Sequence, residues 1–226
     1  MSFGKTAVLF FSRTLNDEYG AGSFGLNRKG FSNLYKFFVN KALKTVEEAG
    51  LPLIEAYSNQ QVGDTFSERL INSLKSVSDK GFERVIIIGN DAPQLSVGDI
   101  LSAKTALDEG LNVLGKDKRG GVYLIGLDLK TFNSAPLRAI QWHSSHVYGQ
   151  LSEVLGDVYE LSEIYDINRI ADLKSLLNVQ GTLTLGIRRF LKFIITFQHK
   201  VSRTHLIINF FIFEDHLDRG PPHLAL

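Results

Sequence analysis

The sequence predicts an α/β fold, a three-layer sandwich in which helices cover both faces of a mostly parallel central sheet. Residues 6–11 and 84–89 are continuous apolar segments rich in strand-forming residues, as in strands buried on both faces. Segments with apolar residues at helical spacing alternate with these strands, which favours a parallel sheet. The predicted helices end at glycines, a common stop signal.

The elements follow in order along the chain. Residues 12–30 contain several glycines and polar residues, and they are predicted to form one long loop, a length that is usually functional. The remaining predicted strands are 51–57, 111–115, 121–127, one that ends at Tyr159, and 204–213. The predicted helices are 31–49, 65–80, 96–109, 145–155, 168–177 and 184–196. A change in composition after Gly181 divides the chain into a main domain, 1–181, and a C-terminal extension, 182–226.

Composition and charge exclude several classes of protein. The chain has 226 residues and a net charge of +1, so no overall basic field favours nucleic acid. It has no cysteine, which excludes disulfides, zinc-thiolate sites and thiol nucleophiles. No apolar segment reaches the length of a membrane helix, about 18 residues. We therefore expect a cytoplasmic protein.

Ligands of open α/β sheets bind beyond the carboxyl ends of the strands. Asp91 lies there, directly after an apolar strand and two residues before Pro93. A carboxylate so placed can bind Mg²⁺ or Mn²⁺, which in turn bridges nucleotide phosphates. The alternative is that Asp91 caps a turn or the next helix.

Other candidates lie in the neighbouring loops. Asp166 and Asn168 share a face if the backbone there is extended, and both could bind a metal, although Asn168 also suits a helix N-cap. Gly120 and Gly121 allow either a close approach to a ligand or a tight turn. The long loop contributes cations that could meet phosphates or remain solvated: Arg13, Arg28 and Lys29. His143 and His146 lack a third metal ligand, so a place in the wall of a substrate pocket fits them better.

Four segments together resemble one family. They are Gln61–Leu70 (QVGDTFSERL), Val85–Leu95 (VIIIGNDAPQL), Gly115–Leu127 (GKDKRGGVYLIGL) and Ile164–Leu173 (IYDINRIADL). Their order and spacing resemble those of the bacterial DUF2064 proteins. These are glycosyltransferase-A-like proteins distantly related to 2-phospholactate and molybdenum cofactor guanylyltransferases.

The resemblance implies a nucleotide-diphospho-sugar transferase fold and a metal-dependent glycosyl- or nucleotidyltransferase. Asp91 then corresponds to the metal-binding acid, with Asp166 and Asn168 of the closing motif as further ligands of Mg²⁺ or Mn²⁺. The residues expected to contact the nucleotide or sugar are Arg13, Arg28, Lys29, Glu68, Arg69, Asn90, Gly120 and Gly121.

The sequence departs from the family pattern in three places. The first loop lacks the family's P-x-x-G-x-V-K-T-R-L string, Arg119 stands where the family has an acid, and Asn168 replaces the second acid of the closing motif. Fewer acids weaken the binding of a divalent cation. The alternative function is therefore a transferase-fold protein with impaired catalysis that serves in binding or regulation.

The C-terminal extension contains an amphipathic helix. Its apolar face holds Ile187, Phe190, Leu191, Ile194 and Ile195, and its other face carries Arg188, Arg189 and Lys192. We expect this helix to pack on the main domain or at a homodimer interface. A helix lying on an anionic membrane surface is the other interpretation.

Overall fold

The computed structural model describes residues 5–22, 25–165, 167, 172–174, 177, 188–194 and 196. Its centre is a six-stranded mixed sheet with the strand order β2-β1-β3-β5-β4-β6. The strands are β1 (Thr6–Ser12), β2 (Leu53–Tyr57), β3 (Arg84–Ile88), β4 (Asn112–Asp117), β5 (Val122–Asp128) and β6 (Val158–Ile164). Only β5 runs against its neighbours. The predicted α/β class with a mostly parallel sheet is confirmed.

Helices cover both faces of the sheet. They are α1 (Leu15–Ala21), α2 (Arg28–Ala49), α3 (Phe66–Asp79), α4 (Val97–Asp108), α5 (Val147–Leu155) and a 3-10 helix (Ala135–Ala139). Alternate residues of β1 point to opposite faces of the sheet. Val8 and Phe10 pack with α2 and α4, whereas Ala7 and Leu9 pack with α3 and α5. Both faces of the strand are buried, which explains its continuous apolar sequence.

The prediction of one long loop over residues 12–30 is wrong, because α1 lies within it. Thr14 caps this short helix, and its hydroxyl accepts a hydrogen bond from the Asp17 amide at 3.3 Å. No residue of the helix is fully buried, and its sequence lacks the apolar periodicity that identifies packed helices. Helix α2 also begins earlier than predicted, at Arg28, with Asn27 as its N-cap.

The antiparallel strand β5 determines which loops meet. Strands β1, β3, β4 and β6 run in one direction, so their carboxyl ends share an edge of the sheet. Because β5 runs the other way, its beginning lies at this same edge. The glycine pair that precedes β5 is therefore placed beside the loop that follows β3.

The described part of the C-terminal extension packs on the main domain. Leu191 and Ile194 are buried in the core under α2 and α4, and the ring of Phe190 stacks on Phe37 of α2 at 4.1 Å. Residues 178–187 and the predicted strand 204–213 lie outside the described residues, so the domain boundary at Gly181 stays a prediction. Among the described helices, none has the length and apolarity needed to span a membrane.

Candidate functional site

Asp91 lies in the loop that leaves the carboxyl end of β3. The Leu95 amide donates to the Ala92 carbonyl at 3.0 Å and closes a turn around Pro93. A side chain at Gly89 would place its Cβ 2.9 Å from Asp91 Oδ1, so the carboxylate folds back over this glycine. Asp91 is not the cap of the next helix, because Ser96 and Asp99 form the capping box of α4.

The closing motif is bonded to this loop. The Ile167 amide donates to the Asp91 carbonyl at 2.9 Å, and the Tyr165 amide donates to Gln94 Oε1 at 2.7 Å. Two loops expected at one edge of the sheet therefore meet in the structure. The predicted metal ligands Asp166 and Asn168 lie outside the described residues, on either side of Ile167.

A small open cleft borders Asp91. Its wall consists of apolar side chains of α2, polar groups of the β3 loop and one acid of α1: Glu18, Phe31, Leu34, Tyr35, Phe38, Asn90, Asp91 and Ile167. The lining thus combines apolar side chains with a few polar groups, as ligand pockets usually do.

Sequence reasoning missed Glu18. Burial raises the pKa of this carboxyl group, and the guanidinium of Arg13, at 3.6 Å, opposes the shift. The T-x-x-D pattern at Thr14–Asp17 signals a helix start and could have placed Glu18 on a helix beside the β3 loop.

Carboxylate and amide oxygens are the ligands that Mg²⁺ and Mn²⁺ prefer. Asp91, Glu18 and Asn90 offer such oxygens at the cleft. Within the described residues, however, no group of three acidic or histidine side chains could hold a metal. These oxygen ligands suit a hard divalent cation, and a complete metal site would also need ligands from the closing motif.

The predicted phosphate contacts of the first loop are dispersed. Arg13 pairs with Glu18. Arg28 donates to Asn16 Oδ1 at 2.7 Å and lies over the ring of Tyr19, so it ties α2 to α1. Lys29 is exposed at the start of α2. Arg13 is thus paired with a residue that lines the Asp91 cleft, and a phosphate role for all three cations stays a prediction.

The motif 61–70 has clear structural roles. The Gln61 amide group donates to the Ser12 and Ala56 carbonyls at 3.1 and 2.7 Å, which joins the ends of β1 and β2. Glu68 accepts from the amides of Asp64 and Thr65 in the capping box of α3, and these bonds lower the pKa of its carboxyl group. The carboxylate of Glu68 is thus used by the helix cap.

Gly120 and Gly121 form the tight turn between β4 and β5. Gly120 has a φ of +86°, and a Cβ there would lie less than 3.0 Å from the Ser145 carbonyl oxygen. A Cβ at Gly121 would come equally close to the buried carboxylate of Asp117, which accepts from the amides of Arg119 and Gly121 at 2.6 and 3.0 Å. The turn alternative accounts for both glycines, because protein atoms occupy the space beside their α-carbons.

Arg119, at a position where the resemblance predicts an acid, pairs with Asp172 of the closing motif at 3.0 Å. Asp172 is largely buried, with 14% of its side chain exposed. The arginine therefore links the β4–β5 turn to the closing segment, a role that an acid at this position could not fill.

Comparisons with known proteins support the family resemblance and the fold. Residues 36–144 match the model of a family described as "Uncharacterized protein conserved in bacteria (DUF2064)". No curated protein matches the sequence. A crystal structure from Desulfovibrio desulfuricans G20, described as a candidate nucleotide-diphospho-sugar transferase, aligns with a TM-score of 0.75 and 19% identity. The alignment covers 87% of this chain and 97% of that one.

Two further structures align less well. A homologue from Mycobacterium sp. strain JC1 of a Mycobacterium tuberculosis protein gives 12% identity, a TM-score of 0.43 and coverage of 85% and 98% of the two chains. A hypothetical transferase from Thermus thermophilus gives 16%, 0.41 and coverage of 75% and 99%. These scores support no further conclusion. The family match over residues 36–144 and the fold shared with the Desulfovibrio structure nevertheless confirm the predicted resemblance to the DUF2064 proteins.

Proposed function

We propose that this protein is a transferase that uses a nucleotide or nucleotide-sugar donor and a bound Mg²⁺ or Mn²⁺ ion. The observation that carries the proposal is the cleft at the carboxyl edge of the sheet. There Asp91 and Glu18 both line the cleft, and the closing motif is hydrogen-bonded to the backbone of Asp91. Acids at this edge of an α/β sheet suit the binding of a nucleotide through a metal.

In this proposal Asp91 holds the metal together with Asp166 and Asn168 of the closing motif. The metal would neutralise charge on the donor phosphates while the acceptor attacks. The apolar wall from Phe31 to Phe38 would exclude water beneath the bound nucleotide. Arg13, next to the cleft, would add positive charge on the phosphate side.

A thermal-shift panel of nucleotides and nucleotide sugars, with and without Mn²⁺, tests this function. A ligand at about 100 times its dissociation constant stabilises a protein by about 2.7 kcal/mol. For a chain of this length we expect a rise in Tm of about 5–10 °C that requires both ligand and Mn²⁺. Absence of a shift with every donor would refute the proposal.

A second candidate is a binding or regulatory protein that holds a nucleotide without transferring it. Arg119 favours this alternative, because it stands where the resemblance predicts an acid and its guanidinium group is paired with Asp172. Stabilisation by a nucleotide that is equal with and without Mn²⁺ would support it.

A cytoplasmic location and a homodimer also stay predictions, which cell fractionation and light scattering would test.

A further inference from the structure

The ring of Phe66, at the start of α3, connects two loops of the sheet edge. It makes edge-to-face contacts with Phe11 near the end of β1 at 5.4 Å and with His143 at 5.2 Å. Trp142 also packs on it at 4.7 Å. These contacts fix His143 beside the end of β1, on the side of the sheet covered by α3 rather than on the α2 side, where the Asp91 cleft lies.

The backbone of His143 has an unusual conformation. Its φ of 67° is the only positive value at a non-glycine position among the described residues. Trp142 anchors this turn, since its indole N–H donates to Ser67 Oγ at 2.8 Å and lies 3.2 Å from the Leu137 carbonyl oxygen. Such conformations are uncommon and cluster at binding and active sites.

Two arginines act electrostatically on the imidazole. Arg69 follows Phe66 by three residues, so both side chains project from one side of α3. Arg13 follows Phe11 by two residues at the end of β1. Burial lowers the pKa of His143, and the positive charges of Arg13 and Arg69 lower it further. The three groups are therefore close enough to interact electrostatically.

The charges of this cluster are only partly balanced. Arg13 pairs with Glu18 at 3.6 Å, and 47% of its side chain is exposed. In the part of the chain that the structure describes, the guanidinium of Arg69 has no carboxylate partner within 4.0 Å. Guanidinium groups bind phosphate oxygens in a bidentate manner, so an anion beside His143 would supply a partner for Arg69.

We propose that Arg69, His143 and Arg13 form a phosphate-binding subsite that works without metal. The two guanidinium groups supply charge, and the ring of His143, held against Phe66, supplies an N–H. The binding of phosphate at this subsite does not depend on the proposed function. Only the identity of the molecule that carries the phosphate, either the nucleotide donor or a phosphorylated acceptor, rests on that function.

The single tryptophan of the chain, Trp142, reports on this subsite. We expect inorganic phosphate, titrated in the presence of a chelator, to change its fluorescence in a saturable manner. Arg69→Gln and His143→Asn should each raise the dissociation constant at least fivefold, and asparagine tolerates the left-handed backbone. Lys75→Gln removes an exposed charge from the same helix and should leave the constant unchanged.

No saturable change with the native protein, or equal constants for all three variants and the native protein, would overturn the subsite. Neither result would bear on metal-dependent nucleotide binding, because this titration contains no metal and no nucleotide. Repeating it with a nucleoside diphosphate plus Mn²⁺, and separately with a hexose 1-phosphate, distinguishes the sources. If Arg69→Gln weakens the binding of the nucleoside diphosphate, the subsite belongs to the donor. If it weakens only the binding of the hexose 1-phosphate, the subsite belongs to the acceptor.

Discussion

Gly120→Ala is expected to lower the free energy of unfolding by about 2–5 kcal/mol. A left-handed backbone costs a non-glycine residue about 1–2 kcal/mol, and forcing an extra carbon into a filled space costs about 1–3 kcal/mol more. Both penalties apply, since φ is +86° and the new Cβ would meet the Ser145 carbonyl. The backbone has little room to move away, because the Gly120 carbonyl accepts from the Tyr148 amide at 2.9 Å.

Gly110→Ala is the matched control for this prediction. Gly110 has nearly the same φ, +87°, but a Cβ added there would meet no atom within 4 Å. Its replacement should therefore cost only the backbone penalty, about 1–2 kcal/mol. Urea denaturation of both variants measures the difference, and equal losses would contradict a tight contact between the β4–β5 turn and Ser145.

Asp91→Asn is expected to lower the Mn²⁺-dependent affinity for a nucleoside diphosphate at least tenfold, which corresponds to about 1.4 kcal/mol. The substitution keeps the shape of the side chain and removes its charge, so it weakens the attraction for a divalent cation. The affinity without Mn²⁺ should change little. Isothermal titration calorimetry with and without the metal separates the two quantities.

Asp157→Asn provides a control of equal charge change at a distance. Asp157 is exposed and precedes β6, at the amino edge of the sheet, opposite Asp91. Its replacement should leave both affinities unchanged. If the two variants lose metal-dependent affinity to the same extent, the loss reflects overall charge and not a ligand at Asp91.

The sequence carried strong information about the central strands and the position of Asp91. Strand β3 is buried on both faces, so its apolar run is visible without the structure, and an acid directly after it must lie at the sheet edge. The amphipathic helices α2 and α3 are also predictable from the pattern of their apolar residues. Each buries one stripe of apolar residues and therefore shows helical periodicity.

Tertiary contacts decided what the sequence could not. Helix α1 has no fully buried residue and no apolar stripe, so the sequence does not reveal the acid that it presents, Glu18. The glycine pair before β5 suited a ligand or a turn equally well until Ser145 and Asp117 were seen beside it. Likewise, the resemblance predicts an acid at position 119. The ion pair with Asp172, which lies 53 residues away in the sequence, explains why an arginine stands there.

Paramagnetic broadening by Mn²⁺ tests the central claim, a metal site at Asp91, most directly. Substoichiometric Mn²⁺ is added to the native protein with a nucleoside diphosphate, and backbone amide signals are followed by NMR. We predict selective broadening at Glu18, Asn90, Asp91 and Ile167, reversed by a chelator, because these residues line one cleft. Broadening centred elsewhere, with sharp signals at these four residues, would contradict the account.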